Sequence, residues 1–189
     1  MLENQLRYFP LQLQPKVYLL ISKISFGEKL MLENLEKALV EALQDEYKAR
    51  ATYSLVIRRF GAIRPFINII KSEERHIQAL ISLFRKYDFP IPVDDWLNRV
   101  ETPASILEAC QQGVQGEIEN REMYKRLLNL TQEYPDVQRV FLNLQRASQE
   151  NHLPAFQRCA EKGKNTKNFC GRKGKQAPEG NRHRRGWCY

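Results

Sequence analysis

Two short stretches place ligand-type side chains inside apolar frames. In SEERHIQAL (72–80), Glu73 and His76 stand three residues apart, so on a helix both lean toward one face, which Ile69, Ile77 and Leu80 mark as buried. In SQENHLPAF (148–156), His152 holds the comparable place on a seam that runs Val137, Phe141, Leu144, Ser148, Ala155 and Cys159. A carboxylate left alone in an apolar core is costly or takes up a proton, so it needs a cation, a metal or hydrogen-bond donors. Glu46 and Glu117 extend the set. Each opens an E-x-x-x-R-x-x-Y pattern (Glu46, Arg50, Tyr53 and Glu117, Arg121, Tyr124), and each precedes its histidine by a similar interval. A lone Glu from one helix with a Glu-x-x-His pair from the next, given twice, is a ligand set for two first-row ions, iron or manganese.

The first half, Glu46 with Glu73 and His76, is complete. In the second half Gln149 stands where Glu73 stands in the first, and a Gln oxygen is a weak ligand for a hard cation. Glu150 is two positions from His152 and should face solvent, as should Glu74. Three glutamates offset three of the four charges on two divalent ions, so the second position is the incomplete one and the site is expected to hold one or two ions. Arg50 and Arg121 have an ordinary reading as i,i+4 partners of Glu46 and Glu117; partly buried, they would orient or neutralise those carboxylates. Tyr53 and Tyr124, two turns beyond their glutamates, are expected as aromatics around the site. Asn68 and Asn151 are expected to cap or bridge chains inside the bundle.

Four helices must position these groups, at about 27–60, 65–87, 104–130 and 135–160, each with apolar residues at three- and four-residue steps. The segment DFPIPVDDWLNRVETP, broken by Pro90, Pro92 and Pro103, predicts a long crossover between the second and third helices. The fold class is therefore all-α, an antiparallel four-helix bundle of two helix pairs. Pro154 predicts a kink just after His152.

The remaining sequence sets outer limits. Of 189 residues, 42% are hydrophobic and 28% charged, and no apolar run is long enough to span a bilayer, so no membrane association is expected and a cytoplasmic location is. From Arg158 onward ten Lys or Arg face two Glu, which accounts for the whole formal charge of +8. That basic tail is expected to be disordered, with weak contact to nucleic acid or an acidic surface through it left open. The expected organisation is an irregular or docked extension over 1–29, the bundle over 30–162, and the tail over 163–189. The four cysteines lack a CxxC spacing, so neither structural zinc nor a disulfide framework is expected, and Cys110 reads as a buried thiol.

The segments EYKARATY (46–53), FINIIKSEERHIQAL (66–80) and SQENHLPAF (148–156) resemble a ferritin-like family of bacterial and archaeal proteins known as a domain of unknown function, DUF2202. The likeness covers roughly Leu35 to Lys162. It implies a ferritin-like four-helix bundle, related distantly to rubrerythrin and ferritin, and it implies no particular reaction. That family also lacks a Glu before its Asn-His in the fourth helix, so Gln149 is in keeping with it, whereas Pro154 stands where a basic residue is commoner.

Three function classes follow. The first is a metal-binding oxidoreductase that reacts with oxygen or peroxide through iron, with its catalytic residues unassigned. It has no rubredoxin-like cysteine quartet and so would draw on an external electron donor. The second is a non-catalytic structural or interaction bundle with a polar core network. The third is iron storage, which requires assembly into a shell; a homodimer is also open.

Overall fold

The computed structural model describes residues 26–170, with side chains to 163. The expected extension up to residue 25 and the basic tail beyond 170 lie outside the described residues. Helix α1 spans Phe26–Phe60, α2 Phe66–Lys86, α3 Ile106–Leu130 and α4 Pro135–Ala147; a π turn over Ser148–His152 then leads without a break into α5, Leu153–Cys170. Helix α1 thus begins before its apolar stripe does, and the last helix runs ten residues past the expected end at 160.

Local chemistry sets the helix ends. Gly61 adopts φ 85° and its N–H returns to the Ile57 carbonyl, a left-handed stop open to glycine at little cost. Ser105 caps α3 by accepting from the Glu108 N–H, while the Glu108 carboxylate accepts from the Ala104 N–H, a variant of the capping box. Pro135 opens α4, where its missing N–H has no helical partner to lose.

Helices α1 and α2 form one pair, and α3 with the continuous α4–π–α5 rod forms the other. Between the pairs the long connection passes over α1. Its short 3₁₀ turn at Trp96–Asn98 is fixed by a hydrogen bond from the Trp96 indole to Gln44, and Asp94 pairs with Arg50. This arrangement is a ferritin-like four-helix bundle with a crossover between its second and third helices.

The apolar core is split in two. One cluster gathers Leu39, Leu43, Leu80, Phe84, Leu127 and Phe141; the other gathers Tyr53, Val56, Phe66, Cys110 and Phe156. Along every helix the buried polar residues fall between them: Glu46 after Leu43, Glu73 before Ile77, Glu117 between Cys110 and Tyr124, and Ser148 and His152 between Leu144 and Phe156. The polar layer is thus clamped between two packed apolar blocks that fix its geometry. Cys110, expected as a buried thiol in a chain without a disulfide framework, is instead joined to Cys159 by a disulfide between α3 and α5, with Cα atoms 5.8 Å apart. Sequence spacing could not show it, because only the antiparallel packing of those helices brings the two together.

Candidate metal centre

The Glu73 carboxylate sits at the middle of the polar layer. Its Oε2 lies 2.9 Å from His76 Nδ1 and its Oε1 lies 3.3 Å from His152 Nδ1. Beyond His76, Glu46 Oε2 lies 3.2 Å from the same Nδ1; beyond His152, Glu117 Oε1 lies 3.5 Å from that ring's Nδ1. The two imidazoles stack with centroids 5.6 Å apart. Two groups of neighbouring side chains result, Glu46–Glu73–His76 and Glu73–Glu117–His152, and they share one carboxylate. Glu73, His76 and His152 each offer an atom within 4.8 Å of the others. Neighbouring ligands around one first-row ion with bonds of about 2.1 Å are separated by about 3.0–3.4 Å, for octahedral and tetrahedral arrangements respectively. The donor spacings fall around that range, and carboxylate with imidazole is a donor set able to hold a first-row metal ion.

The outer partners cross between helices. Tyr124 on α3 donates to Glu46 Oε1 at 2.9 Å, and Tyr53 on α1 donates to Glu117 Oε1 at 3.4 Å. Ser148 donates to Glu117 Oε2. Gln149 is turned aside: its amide donates to the Glu117 backbone carbonyl at 2.8 Å and to Ser148 Oγ at 3.1 Å.

Charge is concentrated here. Burial would lower the His76 pKa, but hydrogen bonds and charge from Glu46 and Glu73 outweigh it and push it up to about 10. Burial and the Glu46 charge hold Glu73 well above the carboxylate range, whereas Glu46 itself, despite burial, is held low by His76. Asp45, one residue before Glu46, is raised to about 7 by burial and by the Glu46 charge.

A cavity of about 290 Å³ leads from this layer out between α1 and α3. Its inner wall holds Glu46, Glu73, Glu117 and both histidines; Lys48, Thr52, Gln112 and Gly116 line its outer part. Asp45 and Asn120 stand on its wall, linked by a 2.8 Å hydrogen bond from the Asn120 amide, and the Asn120 Oδ1 atom is buried with no protein partner. The pocket leads to the clustered carboxylates and imidazoles past the Asp45 carboxyl, whose pKa is raised to about 7.

Glu46, Glu73, His76, Glu117 and His152 converge, with Gln149 beside them. Arg50 and Arg121, expected beside the carboxylates, do not join them. Arg50 pairs with Asp94 of the crossover and lies over the Tyr47 ring, and Arg121 pairs with Glu122 at 2.8 Å on the surface. A guanidinium four residues from a buried glutamate is long enough to leave the core, and hydration favours its doing so. Asn68 and Asn151, expected inside the bundle, are exposed, as are Glu74 and Glu150. In place of a simple kink at Pro154 there is the π turn at 148–152: proline cannot donate to the Glu150 carbonyl, and the wider turn precedes it directly. Ser148, Asp45 and Asn120 were missed by sequence reasoning. The available signal was Ser148, four residues before His152 on the same stripe.

No protein-family model matches the chain, and no curated protein matches it. Among solved structures it is similar to a hypothetical protein from Methanococcus jannaschii DSM 2661, with 25% identity and a TM-score of 0.61 over 82% of this chain and 86% of that one. No helix among the described residues is long and apolar enough to cross a membrane. The structural likeness and the buried Glu–His cluster together support a ferritin-like superfamily fold with a polar core able to bind metal.

Proposed function

We propose that this chain is a metalloprotein related to the DUF2202 family, which holds iron or manganese between its two helix pairs and acts as an oxidoreductase toward oxygen or peroxide. The observation that carries the reading is Glu73, whose two carboxylate oxygens face two different histidine Nδ1 atoms. A carboxylate so placed would serve both positions of a two-ion site. Glu46 and His76 would complete one position, and Glu117 and His152 the other. The turning away of Arg50 and Arg121 supports the same reading, because it leaves the three glutamates paired with histidines and with no guanidinium to neutralise them. When bound, the ions supply Lewis acidity and, for iron, one-electron redox chemistry. The chain's own contribution is to fix the carboxylates through Tyr53, Tyr124 and Ser148, to exclude bulk water with two apolar blocks, and to admit small reactants along the α1–α3 cavity.

A non-catalytic polar network is favoured by a different observation: His76, with its raised pKa, can carry a proton where a cation would otherwise sit. Elemental analysis of protein purified without a metal-affinity tag, from metal-replete cells, separates the two. Two equivalents of iron or manganese, stripped by Glu73→Gln, are expected; one equivalent indicates an asymmetric site weakened on the Gln149 side. Neither metal in the replete protein overturns the metalloprotein reading.

A further inference from the structure

We infer that Cys110 and Cys159 form a dithiol–disulfide pair that supplies the two electrons for peroxide reduction at the Glu–His centre. The inference rests on the oxidoreductase reading above and names its reductant.

Its basis is a register shared by α3 and α5. Cys110 lies seven residues before Glu117, and Cys159 seven residues after His152. The disulfide therefore bridges α3, which carries Glu117, and α5, which continues directly from the π turn that carries His152, about 10.5 Å away, or two helical turns, along their axes. Between these levels, Phe156 packs onto Gly113, so close that a Cβ there would meet the ring at 2.6 Å. The Tyr53 ring lies against Phe156 with centroids 5.3 Å apart, and its hydroxyl reaches Glu117. The space between the sulfurs and the centre is thus filled by packed aromatic groups. Electrons tunnel between protein redox groups across such distances through packed matter, with no need for the reactants to touch.

The two cysteines also differ in burial. Cys110 is fully buried, whereas Cys159 is partly exposed. An external thiolate can attack Cys159, release Cys110 as a thiol, and be displaced in turn by a second external thiol, which returns the pair to the dithiol form. A disulfide serving only as a staple would need no proximity to the centre.

The reaction balances as two protein thiols plus hydrogen peroxide giving one disulfide and two waters. Two S–H bonds and the O–O bond break and one S–S bond forms; the two electrons and two protons from sulfur end on the two oxygen atoms. The electrons leave singly: a thiyl radical at one cysteine is captured by the thiolate of the other, and the resulting disulfide radical anion gives up the second electron.

The full-length protein, reduced with dithiothreitol under anaerobic conditions and desalted, is loaded with ferrous iron or left metal-free. Each form is mixed with several equivalents of hydrogen peroxide, quenched with acid, alkylated and mapped by mass spectrometry, which separates Cys110 and Cys159 from Cys170 and Cys188. Disulfide formation between Cys110 and Cys159 is expected at least tenfold faster in the loaded protein, with Glu73→Gln reducing it to the metal-free rate. The Cys110→Ser, Cys159→Ser double variant should still bind iron and still oxidise that bound iron with peroxide, yet lose sustained peroxide consumption with dithiothreitol. Equal rates of disulfide formation with and without iron, or an unchanged dithiothreitol-driven turnover in the double variant, overturn the inference while leaving the metal reading intact. Failure of the protein to bind iron, or of bound iron to react with peroxide, overturns both.

Discussion

Tyr124 on α3 donates its hydroxyl to Glu46 on α1 at 2.9 Å, and Tyr53 on α1 returns the arrangement to Glu117 on α3 at 3.4 Å. The exchange follows from antiparallel packing: a tyrosine two turns beyond its own glutamate comes level with the glutamate of the facing helix. Each phenol is buried, and burial together with nearby carboxylates holds both pKa values well above the usual range, so both remain donors throughout the physiological range.

Replacing either tyrosine with phenylalanine therefore removes a hydrogen bond to a buried carboxylate, worth about 1.5–3 kcal/mol for a well-formed one. Tyr124→Phe should lower stability by an amount in that range, and Tyr53→Phe by less because its bond is longer. Metal affinity should fall about 10–100-fold in Tyr124→Phe, the usual effect of losing a group that orients a ligand. Urea unfolding and metal titration of the two variants check the order; an equal or reversed order contradicts the geometry.

A proton on His76 would compete with a bound ion for the same place, and this sets a pH dependence. His76 has a folded pKa of about 10 against an ordinary 6.5, so the metal-free native state holds a proton that the unfolded chain releases. Its contribution is fully present below about pH 6.5 and is lost as pH rises through about 10. Asp45, raised from 3.8 to about 7, acts in the same direction at lower pH and is spent by about pH 8. The melting temperature of the metal-free protein should thus fall by several degrees between pH 8 and pH 10, and His76→Gln should abolish most of that fall. With iron or manganese bound the profile should be flatter, since the ion replaces the proton.

How much of this was legible in the sequence depended on what each inference required. Glu46, Glu73, His76, Glu117 and His152 could be read because they interrupt apolar seams, and an α-helical phase suffices to place them on one side. The direction of Arg50 could not, since it depends on Asp94 in a crossover whose path the sequence leaves open. The tyrosine pairing needed the relative register of α1 and α3. The π turn is invisible to any pattern that assumes a constant helical step, although Pro154 marked the place where the step would fail. Asp45 lies off the apolar stripe of its helix, and its place beside the site depends on Asn120 of the facing helix.

Gln149 illustrates how such a detail changes an expected outcome. Read as a vacant ligand position, it suggests that Gln149→Glu would tighten binding of a second ion. Its amide, however, donates to the Glu117 carbonyl and to Ser148, and a carboxylate there would face acceptors in place of donors. Gln149→Glu should therefore destabilise the protein by about 1–3 kcal/mol without raising metal stoichiometry. Ser148→Ala, which removes the donor to Glu117 Oε2, should weaken the position built on His152 and spare that built on His76. Anaerobic ferrous titration resolves the two positions; tighter second-site binding in Gln149→Glu would refute this placement of the side chain.

Two glycines of α3 differ in what surrounds them, and the difference fixes opposite outcomes for the same substitution. A Cβ on Gly113 would lie 2.6–2.8 Å from three atoms of the buried Phe156 ring, whereas a Cβ on Gly116 would meet nothing within 4 Å. Alanine within a helix gains about 1 kcal/mol over glycine when space permits. Gly116→Ala should realise that gain. Gly113→Ala must displace a ring packed against Tyr53 and Phe66, an overpacking cost of about 1–3 kcal/mol that cancels or exceeds the helical gain. Because Tyr53 also bonds to Glu117, that displacement should reach the metal ligands, so Gly113→Ala is expected to lower affinity at the His152 position as well as the urea midpoint. Parallel unfolding and titration of the two variants test this, and equal stabilisation by both would show that the Phe156 ring does not occupy the space left by Gly113.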